Sequence, residues 1–217
     1  MNPERTSEVH ILGHSFCRRL CGHSMFHCFG IGGLRSDQSP QLVEEYRSHL
    51  ARRAHRGETV RPATHLVYFI GECDVFDRQR NRICLVTPEQ HAQRVIDRAN
   101  WVATALGAEQ LALAPMHPRC QYSGYDQDDE FNTFARSYNL ELRHLLKDGG
   151  VGRVILLKTT KAVPEANTGR RFKPSPEMYD QSDFERFGFG IHFLPGTKVH
   201  DQIFLRSIQR TWPHMFE

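Results

Sequence analysis

The strongest constraint on this chain is an alternation. Five short apolar runs, Val9 to Leu12, Phe26 to Phe29, His65 to Ile70, Gln110 to Ala114 and Val154 to Leu157, are spaced by longer segments of helical periodicity. A brief run that stays apolar, rather than alternating with polar residues, is the pattern of a parallel strand covered on both faces. The segments Gln41 to His55, Pro88 to Leu106, Asp128 to Lys147 and Thr197 to Trp212 repeat apolar residues at helical spacing. Thr87 before Pro88 reads as a helix cap followed by a first-turn proline, and Gly149-Gly150 as a helix stop. Strand and helix in turn predict an α/β protein, a three-layer α/β/α sandwich around a five-stranded parallel sheet.

Length and composition keep this reading simple. The 217 residues suffice for one large core, so a single domain over 1–217 is expected, with residues 1–7 disordered and 159–190 a long polar loop or lid. Hydrophobic residues are 39% and charged residues 24% of the chain, the balance of a globular protein. The net charge of +3 selects no partner by itself. The six cysteines lack the density of a disulfide-stapled scaffold, so reduced thiols are expected. The N-terminus has no apolar leader and no run of about 18 apolar residues occurs, which predicts no membrane span and a cytoplasmic or nuclear location.

In an open parallel sheet, functional groups gather beyond the carboxyl ends of the strands. The residues there are Gly13-His14-Ser15, Gly30-Ile31-Gly32-Gly33 and Gly71-Glu72-Cys73-Asp74, and, after the long loop, Gly190-Ile191-His192. A serine, glycine-bearing turns and a histidine at one sheet edge suit nucleophilic acyl transfer. The serine needs a base for its proton, and backbone N–H groups at tight turns stabilise the oxyanion that forms. Ser15 opens a helix, so its own N–H is one such donor.

These residues resemble the conserved blocks of the SGNH hydrolases, the superfamily of GDSL-like esterases and lipases. Gly13-His14-Ser15 is similar to the first block, usually Gly-Asp-Ser, in a variant with His in the middle. Gly30 to Gly33 resembles the second, Tyr68 to Asp74 the third, Gly-x-Asn-Asp, and Gly190 to Gly196 the last, Asp-Gly-x-His. The resemblance implies a flavodoxin-like SGNH fold and ester hydrolysis without metal or organic cofactor. It implies Ser15 as nucleophile, His192 as base, and Ser15, Gly33 and the Cys73 position as the oxyanion hole. Gly-His-Ser-Phe followed by Arg18-Arg19 is also similar to SGNH-like domains of invertebrate mobile-element and orphan genes.

Two positions depart from the pattern. The acid expected three residues before the histidine is Phe189, and the oxyanion-hole Asn is Cys73. An unsupported triad histidine costs about four orders of magnitude in kcat, and a lost oxyanion donor about two to three. Asp180, Asp183 and Glu185 precede His192 on the same loop, and Asp183 and Glu185 are the candidate substitute acids. Two functions follow: an esterase-like hydrolase of a small ester or acyl group through a Ser-His dyad, impaired to some degree, or a catalytically degenerate module of the same fold that binds nucleic acid or a protein. Arg47, Arg52, Arg53, Arg56 and Arg61, with Arg170, Arg171 and Lys173, are the basic groups for the nucleic-acid version. Cys17, Cys21, His23, His27 and Cys28 are zinc-type ligands, but they straddle a helix and a strand and read as packing residues rather than a metal site.

Overall fold

The computed structural model of the chain describes residues 9–19, 26–59, 61–77, 82–83, 86–158, 174–194 and 198–216. The expectation for residues 1–7, and the parts of the long loop and of the Cys/His cluster at 159–173 and 20–25, lie outside the described residues. The chain sorts into two compact units. One holds Met1–Asp74, Arg94–Ala114 and Leu146–Leu156, and the other holds Val75–Gln93, Pro115–Leu145 and Leu157–Glu217.

The first unit contains the whole main sheet. Its strands are β1 (Val9–Gly13), β2 (His27–Gly30), β3 (His65–Phe69), β6 (Gln110–Leu113) and β8 (Val154–Leu156), all parallel in the order β2-β1-β3-β6-β8. This is the flavodoxin-like doubly wound order of the α/β/α class. Every residue of β1 and β3 is buried, as their unbroken apolar runs require, whereas the edge strand β2 is half-buried throughout. Helix α1 (Ser15–Arg19) follows β1 directly, and α2 (Ser39–His55) buries Leu42, Val43 and Tyr46 on one face. Helix α4 (Pro88–Leu106), whose residues from Arg94 onward belong to this unit and whose first turns belong to the other, buries Ala92, Val95, Ile96, Ala99, Val102 and Ala103 as one helical stripe. At its start the Gln90 N–H donates to Thr87 Oγ1 at 3.3 Å and the Thr87 N–H to Gln90 Oε1 at 3.5 Å, a reciprocal cap.

The doubly wound order creates a switch point. The connection after β1 leads to β2 on one side, and that after β3 leads to β6 on the other, so the carboxyl ends of these adjacent strands flank a crevice. One-turn helix α3 (Glu72–Val75) begins there, and the short antiparallel pair β4 (Phe76–Asp77) and β5 (Arg82–Ile83) comes next in the chain.

The second unit contains α5 (Glu130–Leu146) up to Leu145, and α7 (Lys198–Thr211). It also holds regular elements within the described part of the span expected as a long loop or lid. Residues 176–178 form a 3-10 turn, Gln181–Phe187 form helix α6, and β9 (Phe189–Gly190) pairs antiparallel with β7 (Cys120–Gln121). Asp180 caps α6 by accepting from the Ser182 N–H, and Gly188 ends it in the left-handed conformation. Those caps stabilise a helix of 7 residues, too short to reveal itself by periodicity.

Among the described residues, no helix is long and apolar enough to cross a membrane.

Candidate active site

The nucleophile turn begins with a close backbone approach. Gly13 has φ +142°, and a Cβ there would lie 2.0 Å from the carbonyl oxygen of Phe69, so only glycine fits. The turn is tied on both sides, since the His14 N–H donates to Phe69 O at 3.1 Å and the Ile31 N–H to Gly13 O at 2.9 Å. Ser15 then opens α1, half-buried, with its N–H among the first of that helix.

The turn after β2 carries Gly33, at φ +73°. Its loop is anchored three residues later, at Ser36. The Ser36 N–H donates to Asp74 Oδ1 at 2.9 Å, and Arg35 Nε lies 3.9 Å from the same oxygen. Ser39 Oγ donates to Ser36 O at 2.6 Å and hydrogen-bonds the buried Tyr68 hydroxyl at 2.9 Å. Burial raises the Asp74 carboxyl above its ordinary range, and the Ser36 hydrogen bonds oppose that rise. Cys73 is half-buried in α3, between Glu72 and Asp74.

Glu72 makes a contact the sequence did not announce. Its Oε2 lies 2.7 Å from Nε2 of His14, and both side chains are buried. Residues 58 apart in sequence carry no local signal of such a pair, and only their places after adjacent strands β1 and β3 could have suggested it.

In the second unit, His192 is buried and held by Asp183 at three points. Asp183 Oδ2 accepts the His192 N–H at 2.7 Å and the Ile191 N–H at 3.1 Å, and both carboxylate oxygens face the ring Nδ1, at 3.0 and 2.9 Å. The Asp180 N–H donates back to His192 O at 2.9 Å, and the Leu194 N–H to Met178 O at 2.8 Å, so residues on both sides of the turn clamp the histidine. Gly190 permits this packing, because a Cβ there would sit 2.7 Å from Tyr179 Cβ. Burial alone would raise the Asp183 carboxyl, but the hydrogen bonds from the His192 side chain and backbone outweigh it and hold the group below the usual carboxylate range. A proton on Nδ1 shared with Asp183 leaves Nε2 as the acceptor of the imidazole.

The loop carboxylates therefore separate cleanly. Asp183 lies on the ring, Asp180 is spent on capping α6, and Glu185, two residues further along the helix, is exposed. Phe189 does not occupy the place of a carboxylate on the ring; the Arg119 guanidinium stacks over it at 4.7 Å and over Phe131 at 3.7 Å. Of the basic residues on and after α2, Arg53 and Arg56 pair with Glu58, and Arg47 donates to the carbonyl of Ala105. No group of three or more metal-ligating side chains occurs among the described residues.

No protein-family model matches the chain, and no curated protein matches it in sequence. Solved structures do. A GDSL-like lipase from Bacteroides thetaiotaomicron aligns with a TM-score of 0.57 at 14% identity, over 98% of this chain and 91% of that one. The chain has the SGNH-hydrolase fold. The same likeness extends to the M. Smegmatis aryl esterase, TM-score 0.50 at 12% identity over 95% of this chain and 98% of that one. A Streptococcus pneumonia protein assigned as a platelet activating factor aligns at 0.57 and 14% identity, over 94% and 83% of the two chains. Within an SGNH fold, the loops after β1, β2 and β3 are where the three glycine-bearing blocks of this sequence fall.

Proposed function

We propose that this protein is an SGNH-type serine hydrolase of a small ester or acyl group. Ser15 Oγ attacks the ester carbonyl carbon while Nε2 of His192 takes the hydroxyl proton. The N–H groups of Ser15 and Gly33 receive the oxyanion, and collapse of the tetrahedral adduct expels the alcohol, which takes its proton from His192. Water then repeats the sequence on the acyl-serine. Asp183 holds the imidazole in one tautomer and stabilises its protonated form, the role an acid on Nδ1 serves in a Ser-His-acid triad.

The observation that carries this reading is the buried Asp183 carboxylate across Nδ1 of His192. It supports a complete triad in place of the dyad that Phe189 suggests. Cys73 favours a slower enzyme, because a thiol is a weak donor and the oxyanion then depends on backbone groups. It also favours the rival reading, in which the fold is kept for binding a nucleic acid or a protein and hydrolysis is lost.

A fluorophosphonate probe and p-nitrophenyl acetate, applied to the wild-type protein and to Ser15→Ala, separate the two. Labelling and turnover that disappear in Ser15→Ala support the hydrolase. Equal labelling and turnover in both proteins sink the nucleophile assignment, and their absence from the wild type leaves the binding module.

A further inference from the structure

The His14–Glu72 pair is a buried hydrogen-bonded pair beside the nucleophile that the proposed chemistry does not use, and its geometry assigns it a task. Its side chains are 3% and 11% exposed, with 2.7 Å between Nε2 and Oε2. On the other side of the same ring, Nδ1 accepts the Phe16 N–H at 3.5 Å. An Nδ1 that accepts leaves the proton on Nε2, so the imidazole donates to Glu72 and receives from α1. Ser15 lies between the residue that owns the ring and the residue whose N–H reaches it.

The ring thus spans the two peptide groups that set where Ser15 Oγ and the Ser15 N–H point. Its other end is fixed to α3, across the crevice between the carboxyl ends of β1 and β3.

We propose that His14 and Glu72 are positioning residues for Ser15: a tether from α3 that aims the hydroxyl and the backbone N–H together. This inference rests on the hydrolase reading. It deepens it by giving the substituted middle residue of Gly13-His14-Ser15 a reason. A misplacement of about 1 Å in a reacting group can cost about 10²-fold in rate. Because ester binding does not pass through the tether, the loss falls on kcat and leaves KM unchanged.

The test compares Glu72→Gln, Glu72→Ala and the double variant His14→Phe with Glu72→Met, using p-nitrophenyl acetate turnover and fluorophosphonate labelling. Glu72→Gln retains an oxygen that accepts from Nε2, and its kcat stays within about threefold of wild type. Glu72→Ala lowers kcat and the labelling rate about 10- to 100-fold with KM within about twofold. The double variant leaves no buried charge unpaired, so it keeps the unfolding midpoint yet shows the same kcat loss. A folded double variant with kcat within twofold of wild type overturns the proposal, as does a loss carried by KM.

Amide exchange of Ser15 and Phe16, followed by NMR, is independent of turnover. Loss of the tether speeds exchange at Phe16 at least tenfold in the double variant, and unchanged exchange overturns the proposal. If the wild type neither turns over ester nor labels, the hydrolase reading falls, and the exchange result decides the tether alone.

Discussion

Two sets of buried and half-buried histidines show how differently one side chain can be used. His14 and His192 each face a single carboxylate, Glu72 and Asp183. His10, His27 and His49 instead face one another and Arg53. His10 and His27 are at the amino ends of β1 and β2, with ring centroids 4.8 Å apart, and His49 on α2 lies 5.2 Å from His27. His10 Nδ1 is bonded to the Tyr46 hydroxyl, and Arg53 Nη1 approaches His27 Nδ1 at 2.5 Å while its Nε donates to Glu58. Burial first, then His27 and Arg53, lowers His10 to about 3, and burial followed by Arg53 and His49 lowers His27 to about 4. A carboxylate partner fixes the orientation of a histidine ring through one of its nitrogens. Burial with a cation alongside makes it a neutral aromatic that packs and bonds, so the cluster reads as structural.

The contrast breaks first at Asp183. Asp183→Asn should lower kcat/KM by about four orders of magnitude, because the wrong tautomer is held at Nδ1. Ester turnover with the folded variant checks this, and a loss under tenfold would detach Asp183 from the chemistry. Next in size is Gly13→Ala, whose Cβ meets the Phe69 carbonyl in a backbone conformation closed to alanine. It should cost about 3 kcal/mol or more of stability, read from urea unfolding.

The third test sharpens the other side. A histidine whose folded pKa lies below its unfolded value contributes stability that is full above about pH 6.5 and is lost as pH falls toward the folded pKa. For His10 the window runs from 6.5 to about 3 and for His27 from 6.5 to about 4. Each adds a slope of up to about 1.4 kcal/mol per pH unit, less for the partly exposed His27. His10→Phe should therefore flatten the decline of the unfolding midpoint between pH 6 and 4. The smallest effect is expected from Glu58→Gln. It removes the exposed partner of Arg53 and Arg56 and should lower the midpoint only slightly, in a manner that high salt masks.

The sequence made the sheet legible because its physics is local. Residues in β1 and β3 are buried on both faces, so their apolar runs mark them, and the glycines that end them sit at the turns. The strand bounds moved by about one residue at the carboxyl ends, where Gly13 and Gly30 still pair although neither has a side chain to advertise it. Helix α6 reads as loop in the sequence, since its 7 residues show no apolar stripe and its ends are set by the caps Asp180 and Gly188. That hides the geometry of Asp183. Among the carboxylates before His192, only the turn of α6 distinguishes the one that faces the ring. The His14–Glu72 pair was further from view, because it depends on which strands are neighbours.

The bonds of Asp183 join two things that are usually separate. One carboxylate fixes the imidazole through Nδ1 and, through the N–H groups of Ile191 and His192, the main chain that carries it. A single proton on that carboxylate therefore unlatches ring and backbone in the same event. Because the carboxyl is held below the usual carboxylate range, only strong acid would loosen the perch of this histidine, and it would loosen the ring with it.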